Sequence, residues 1–377
     1  MSSQSLSLLV LGAVAPSLLI SWAAAFAVRR FALQLGLLDR PNARKVHTTP
    51  TPLGGGIAIW AGMLVPFLVG QIALWLVNAR VLAADQLPDF IRPHLPGLAG
   101  RMSSLWALLG LGTILMLLGL RDDRKGLNWR LRLLVEFVVA GMAVMIPQVR
   151  LTAFIDLPWL TCGLSAIWIV ALINSFNMLD NMDGLSSGVA AIISCTLAAF
   201  LLIAPAEGES QPQLFVAGFL LVLVGALLGF LIHNRPPAKM FMGDAGSYFI
   251  GFTIGIATLS ATYTGYNSSQ QHAILAPLCV MAVPLYDMTT VIWIRLREGR
   301  SPFEADKCHF SHRLVDLGMT KVQAVLTIYL TTATCGLGAL LLRRVDTVGA
   351  VMIVVMILCI LSLIAILEAS ARRRAKP

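Results

Sequence analysis

The chain has 377 residues, of which 57% are apolar and only 12% charged, and its mean hydropathy is +0.80. That balance excludes an ordinary soluble domain, in which about a quarter of the residues are charged. The net charge of +9 would suit nucleic acid, but the cations lie between apolar runs, where they meet anionic lipid headgroups, so membrane lipid is an expected partner and nucleic acid is not.

A hydrocarbon core about 30 Å thick needs roughly 20 apolar residues per helix. Runs of that kind fall near 6–27, 54–77, 103–120, 132–148, 158–176, 185–204, 213–232, 246–265, 272–295, 321–342 and 348–367. The expected fold is therefore all-α, a multi-pass membrane protein of about eleven transmembrane helices. No basic residue precedes the first run and Arg29 and Arg30 follow it, so it reads as a retained helix rather than a cleaved signal peptide. With no internal repeat or low-complexity linker, 1–377 reads as one membrane-embedded domain ending in a basic tail, 370–377. Five of the six cysteines (Cys162, Cys195, Cys279, Cys335 and Cys359) lie singly in apolar runs and read as packing residues.

Lysine and arginine set the orientation. With the amino terminus outside, the inside segments hold 22 of the 28 basic residues; the other six are Arg80, Arg92, Arg101, Arg150, Arg343 and Arg344. The positive-inside rule then places the amino terminus outside and the carboxyl terminus, with its tail, in the cytoplasm.

On that map five polar stretches reach the cytoplasmic side: "RPNARKVHTTPTPLGGG", "GLRDDRKGLNWRLR", "NSFNMLDNMDG", "HNRPPAKMFMGDAGS" and "REGRSPFEADKCHFSHRL". Each has an ordinary explanation. "RDDRK" could be a solvated hairpin, the asparagines and aspartates of 174–184 favour turns, and Asp244 could cap the following helix. "CHFSH" lacks the fourth ligand of a zinc site. Taken together, five loops put Asp122, Asp123, Asp180, Asp183 and Asp244 at one membrane boundary beside His309 and His312. Carboxylates so gathered repel one another unless a hard divalent cation neutralises them, which points to magnesium-dependent chemistry on phosphates. A transporter would instead carry ionisable groups near the midplane. Here the helices hold little beyond Glu136, one turn into the fourth run, and Asp287, two turns from the cytoplasmic end of the ninth.

The motifs "PNARKVH", "DDR", "NSFNMLDNMDGL", "FMGDAGS" and "ADKCHFSHRL", in this order, resemble the polyprenyl-phosphate N-acetylhexosamine-1-phosphate transferases, a family that includes the phospho-MurNAc-pentapeptide translocases. The resemblance extends from about residue 6 to 367. It implies transfer of a sugar 1-phosphate from a UDP-N-acetylhexosamine to polyprenyl (undecaprenyl) phosphate, with release of UMP, in the bacterial inner membrane. It further implies magnesium, with manganese as an alternative, and allows a homodimer. Asp244 becomes the first metal ligand, joined by Asp180, while Asp122, Asp123, Asp183, His309 and His312 take catalytic parts. Lys45 with Arg44, Asn177, Asp180 and Arg130 bind substrate, and Gly54, Gly55 and Gly56 let the second helix begin close to other backbone. Asp122 would position the lipid phosphate for direct attack, deprotonate it, or form a covalent intermediate; these readings stay open.

Three positions depart from the family's usual pattern. Arg130, with Arg132 following, stands where a lysine is usual, Asn181 follows Asp180 where a glycine is usual, and Ser311 separates His309 and Phe310 from His312 where many relatives have adjacent histidines. The absence of the triple histidine seen in the translocases points to a simple UDP-N-acetylhexosamine, UDP-N-acetylglucosamine or a close epimer, as donor.

Overall fold

The computed structural model describes residues 2–39, 50–83, 92–151, 155–203, 213–261, 271–304, 306 and 308–374. Lys45 and Arg44, expected to bind substrate, lie outside them, as does the end of the basic tail.

Helices dominate because a chain in lipid must satisfy its backbone within each segment. In chain order they are α1 (Ser3–Phe31), α2 (Gly55–Asn78), α3 (Leu95–Lys125), α4 (Trp129–Val144), α5 (Pro158–Leu179), α6 (Leu185–Leu202), α7 (Leu214–Asn234), α8 (Gly243–Ser260), α9 (Ala276–Val280), α10 (Ala282–Arg297), α11 (Phe310–Asp316), α12 (Lys321–Leu341) and α13 (Thr347–Arg374). Among the described residues the only sheet is a two-residue pairing of β1 (Leu38–Asp39) with β2 (Thr51–Pro52), antiparallel.

Among the described residues every one of the eleven apolar runs overlaps a helical segment, yet by length and apolarity eight of the described helices qualify to cross a membrane, or nine if α9 and α10 form one broken span. The other two runs are α4 and α8. With 16 residues, α4 spans about 24 Å, and α8 carries Asp244 in its first turn and four glycines among its 18 residues. The ninth run is broken, not continuous: a 3-10 turn (Gln271–Leu275) and α9 meet α10 at Met281 with a bend of 61°. Pro284 causes this, because it has no N–H to give the carbonyl of Val280.

Polar atoms hold the bundle where apolar contact alone would not discriminate. Ser17 Oγ donates to the Val222 carbonyl and Ser21 Oγ to that of Ala226, fastening α1 to α7. Deep contacts of α5 and α3 with α8, and of α1 and α6 with α7, make α7 and α8 the centre. At the start of α2, Gly55 and Gly56 donate to the carbonyls of Phe241 and Met242 at 3.0 and 3.1 Å. A Cβ on Gly56 would lie 2.3 Å from the Gly246 nitrogen, so the expected close approach is present and only glycine permits it.

These contacts bring together the C-terminal ends of α3 and α5, the N-terminal end of α8, and the connection between α10 and α11. The strand β2 joins them, since Phe241 N donates to the Pro52 carbonyl. The described parts of the five polar stretches, from residue 50 onward in the first of them, therefore meet at one end of the bundle.

Candidate active site

The site is built around the start of α8. Gly243 has φ +71°, and a Cβ there would stand 2.5 Å from Asp123 Oδ2, so glycine is required on both counts. The first N–H groups of a helix need acceptors, and Met242 at the N-cap supplies none from its side chain. Asp123, at the end of α3, supplies them: Oδ1 accepts from Asp244 N at 2.8 Å and Oδ2 from Ala245 N at 3.2 Å. Capping, the ordinary explanation for Asp244, thus falls to Asp123, which leaves the Asp244 carboxylate for other partners.

Those partners come from α5 and α3. Asn177 Nδ2 donates to Asp244 Oδ1 at 2.6 Å and to Ser247 Oγ at 3.1 Å. The Asp122 and Asp244 carboxyls are close enough to repel each other when both are ionised. Asp180 closes α5 and takes the Gly243 amide. Its carboxyl is pushed up to about 7, first by burial and then by Asp244, with Asp183 adding to the shift and the Gly243 amide opposing it. Asp183 Oδ2 accepts from Ala238 N at 2.9 Å, and Gly184, with φ +75°, makes the turn into α6.

Asp122 accepts from three donors. Oδ1 accepts from Leu127 N at 2.6 Å, and Oδ2 from Arg132 Nη1 and from the Tyr248 hydroxyl, each at 3.0 Å. The cation at the paired aspartates is thus Arg132. Arg130, the expected substrate ligand, is an exposed residue whose guanidinium lies 5.4 Å from the Trp129 ring. Arg132 could have been singled out from sequence: it lies four residues before Glu136 on the face of α4 that also buries Val139, Ala140 and Ala143. Glu136, 1% exposed, accepts from Asn174 Nδ2 at 2.5 Å.

The histidine segment docks on this cluster. Ser311 Oγ donates to Asn181 Oδ1, so two of the three departures from the family pattern are partners of one another. His309 Nδ1 lies 3.1 Å from Asp287 Oδ2, and the His312 ring centroid is 6.5 Å from that of His309. Arg295 donates to both oxygens of Asp306 at 3.0 and 3.2 Å. Burial would raise the Asp306 carboxyl, but the Arg295 hydrogen bonds outweigh it and hold the group well below the usual carboxylate range. Phe303 stacks on Trp129, centroids 4.0 Å apart, which ties this loop to the Asp122 side of the site.

The described structure therefore gathers Asp122, Asp123, Asn177, Asp180 and Asp244 directly, with Asp183 beside Asp180 and the His309–His312 segment joined through Asn181. Asp287, Arg132 and Tyr248 are site neighbours that sequence reasoning left unassigned. Asp287 carried a signal, since an ionisable residue inside a membrane helix is a functional candidate by default. Tyr248 carried none.

Among the described residues no three His, Cys, Asp or Glu side chains close into a ready-made metal cage. Magnesium does not need one: it takes one or two carboxylates and completes its shell with water and substrate phosphates. A half-buried Asp180 raised toward neutrality beside Asp244 is a site short of positive charge, so the donor set fits such an ion.

Residues 105–262 match the glycosyl transferase family 4. The chain is 29% identical over 361 residues to a probable undecaprenyl-phosphate N-acetylglucosaminyl 1-phosphate transferase of Bacillus subtilis, covering 93% of this chain and 89% of that one. It is 32% identical over 331 residues to the decaprenyl-phosphate N-acetylglucosaminephosphotransferase of Mycolicibacterium smegmatis, covering 83% and 77%. It is also 32% identical over 324 residues to the undecaprenyl-phosphate alpha-N-acetylglucosaminyl 1-phosphate transferase of Salmonella typhi, covering 82% and 77%. With its ordered motifs, its helical membrane fold and relatives aligned along most of its length, the chain belongs to the glycosyl transferase family 4 of polyprenyl-phosphate N-acetylhexosamine-1-phosphate transferases.

Proposed function

We propose that this protein transfers N-acetylglucosamine 1-phosphate from UDP-N-acetylglucosamine to a polyprenyl phosphate on the cytoplasmic face of a bacterial inner membrane. An oxygen of the lipid phosphate attacks the sugar-bearing phosphorus, the bond from that phosphorus to the bridging oxygen breaks, and UMP leaves with the electron pair. The product is a lipid-linked pyrophosphoryl sugar, the starting unit of an envelope glycan.

The observation that carries this reading is the meeting of Asp180, Asp244 and Asn177 at the start of α8, with the His309 segment docked on Asn181. An anion attacking an anion requires screening and alignment more than covalent chemistry. Asp244 and Asp180 would hold magnesium, which when bound supplies charge neutralisation for the diphosphate. Asn177 fixes the Asp244 carboxylate, and Asp123 fixes the helix start that carries it. Arg132 keeps the Asp122 carboxylate aimed at the cluster, where it orients the attacking phosphate. His309 and His312 face the donor, and Asp183, tied to the Ala238 amide, closes the turn beneath Asp180.

The family also contains enzymes that use UDP-MurNAc-pentapeptide, and the absence of a triple histidine favours the small sugar. A site that hydrogen-bonds an acetamido sugar rejects a donor that leaves those groups unpaired by large ratios, whereas one methylene is worth only about 1–3 kcal/mol. The test is to incubate purified protein with polyprenyl phosphate, magnesium and a panel of UDP-sugars, including both donors in competition, and to identify the lipid product by mass spectrometry. UMP release with UDP-N-acetylglucosamine is expected. No release with any UDP-sugar sinks the enzyme reading, and preference for the pentapeptide donor moves the protein to the peptidoglycan branch.

A further inference from the structure

We infer that Asp287 is a positioning residue of the active site, a buried carboxylate that fixes both the place and the tautomer of His309 so that Nε2 meets the donor sugar as a hydrogen-bond acceptor. The inference rests on the reading of His309 as a donor-facing residue.

Asp287 lies in α10, in the second turn beyond the break at Met281, and is 0% exposed. A carboxylate in such a place is costly unless its oxygens are satisfied. Both are: Oδ1 accepts from Phe310 N at 2.6 Å and Oδ2 faces His309 Nδ1 at 3.1 Å. Phe310 opens α11, and His309 is its N-cap residue but offers no side-chain cap. At seven residues α11 is far too short to be stable alone, so its start sits where Asp287 holds it.

Capping does not explain the charge. An asparagine or serine would accept from Phe310 N as well as an aspartate does, without burying an ion. The second oxygen supplies the reason. An ionised carboxylate can only accept, so Nδ1 of His309 must carry the hydrogen, and the neutral ring then has its lone pair on Nε2. With Nδ1 committed to Asp287, Nε2 is the atom left for substrate, and a lone pair suits a hydroxyl or amide N–H of an acetamido sugar. The pair is itself 7% and 0% exposed, so water does not scramble the arrangement.

Asp287→Asn tests this with little change in volume. Phe310 N claims the amide oxygen of the asparagine, whose NH2 then faces Nδ1 and obliges it to accept. The hydrogen moves to Nε2, and the atom facing the sugar changes from acceptor to donor while the cap survives. Three measurements on the full-length protein in detergent follow: thermal unfolding, steady-state kinetics with UDP-N-acetylglucosamine and polyprenyl phosphate, and 15N shifts of the His309 ring, assigned by loss of the signal in His309→Gln. D287N is expected to melt near the wild type, to lose about 100-fold in kcat, on the scale of an orienting acid–base group, and to move the ring hydrogen from Nδ1 to Nε2.

A double-mutant comparison separates positioning from structure. If Asp287 acts through His309, D287N costs nothing further in the residual activity of H309Q, whereas a merely structural role lowers both backgrounds by the same factor. Wild-type kcat in D287N, or an unchanged tautomer, overturns the inference while H309Q remains impaired. Full activity in H309Q overturns the donor-facing reading of His309 itself. Should D287N fail to fold, Asp287→Glu keeps the Nδ1 hydrogen but displaces the ring, and it is expected to lower kcat only when His309 is present. Equal losses with and without His309 overturn the proposal.

Discussion

Asp123 would ordinarily be tested as a catalytic acid or base, but its contacts predict that its removal is felt first in stability. Asp123→Ala strips the N–H groups of Asp244 and Ala245 of their acceptor at the start of α8. Met242 has no side chain able to replace it, and the neighbouring carboxylates of Asp122 and Asp180 already have their own donors. Loss of an N-cap costs about 0.5–2 kcal/mol, and a hydrogen bond to a charged group contributes about 1.5–3. Two such bonds at a half-buried helix end, partly replaced by water, give about 2–4 kcal/mol. Asp123→Asn keeps one acceptor oxygen and turns its NH2 toward the other N–H, so about half that loss is expected. The assay is thermal unfolding in detergent, run beside UMP release for wild type, D123N and D123A. The expected order of melting temperature is wild type, then D123N, then D123A, with activity falling in step as the Asp244 carboxylate drifts. A D123A protein that melts with the wild type yet has no activity would refute the capping role and return Asp123 to the chemistry.

Asp244→Asn retains an acceptor for Asn177 and the same size, so the protein is expected to stay folded while turnover falls at least about 100-fold with the lost ligand charge; wild-type activity with unaltered magnesium dependence excludes Asp244 as a ligand. Arg132→Ala takes a donor from a carboxylate whose side chain is 6% exposed and should destabilise by about 1–3 kcal/mol, whereas Arg130→Ala on the exposed Trp129 face should stay within about 0.5 kcal/mol of wild type. Equal melting temperatures for the two arginine variants contradict the assignment. For orientation, a cysteine replacing exposed Glu298 in a cysteine-free background should react only with reagents that reach the cytoplasm, and one replacing exposed Asp156 only from outside. The reverse labelling inverts the topology.

The membrane fold was legible because a long apolar run requires only counting, and each of the eleven runs found its helix. The ends and breaks were less so. α3 begins at Leu95, eight residues before its apolar run, and the break at Met281 is written in Pro284 rather than in any loss of apolarity. Motif spacing located the carboxylates but could not distribute their tasks. Asp122 and Asp123 are adjacent in sequence, yet one faces Arg132 and Tyr248 while the other caps a helix that starts more than a hundred residues later. Nothing local separates them, since successive residues of a helix point about 100° apart and only the neighbours decide what each meets.

Departures from a family pattern are poorly judged one at a time, because their neighbours in the fold decide what each does. Asn181 in place of a glycine removes a residue suited to a turn, and Ser311 interrupts the histidines; considered alone, each weakens its motif. In the fold the two side chains meet, Ser311 Oγ donating to Asn181 Oδ1, while Asn181 Nδ2 returns to the Met178 carbonyl at 2.8 Å and closes the end of α5. A glycine could offer Ser311 no acceptor, and Ser311, 1% exposed, would then bury an unpartnered hydroxyl. Each departure makes the other tolerable. Their contact also carries the histidine segment onto the Asp180 turn, so the two substitutions preserve by a side-chain hydrogen bond the junction between the carboxylate cluster and His309 on which the proposed chemistry depends.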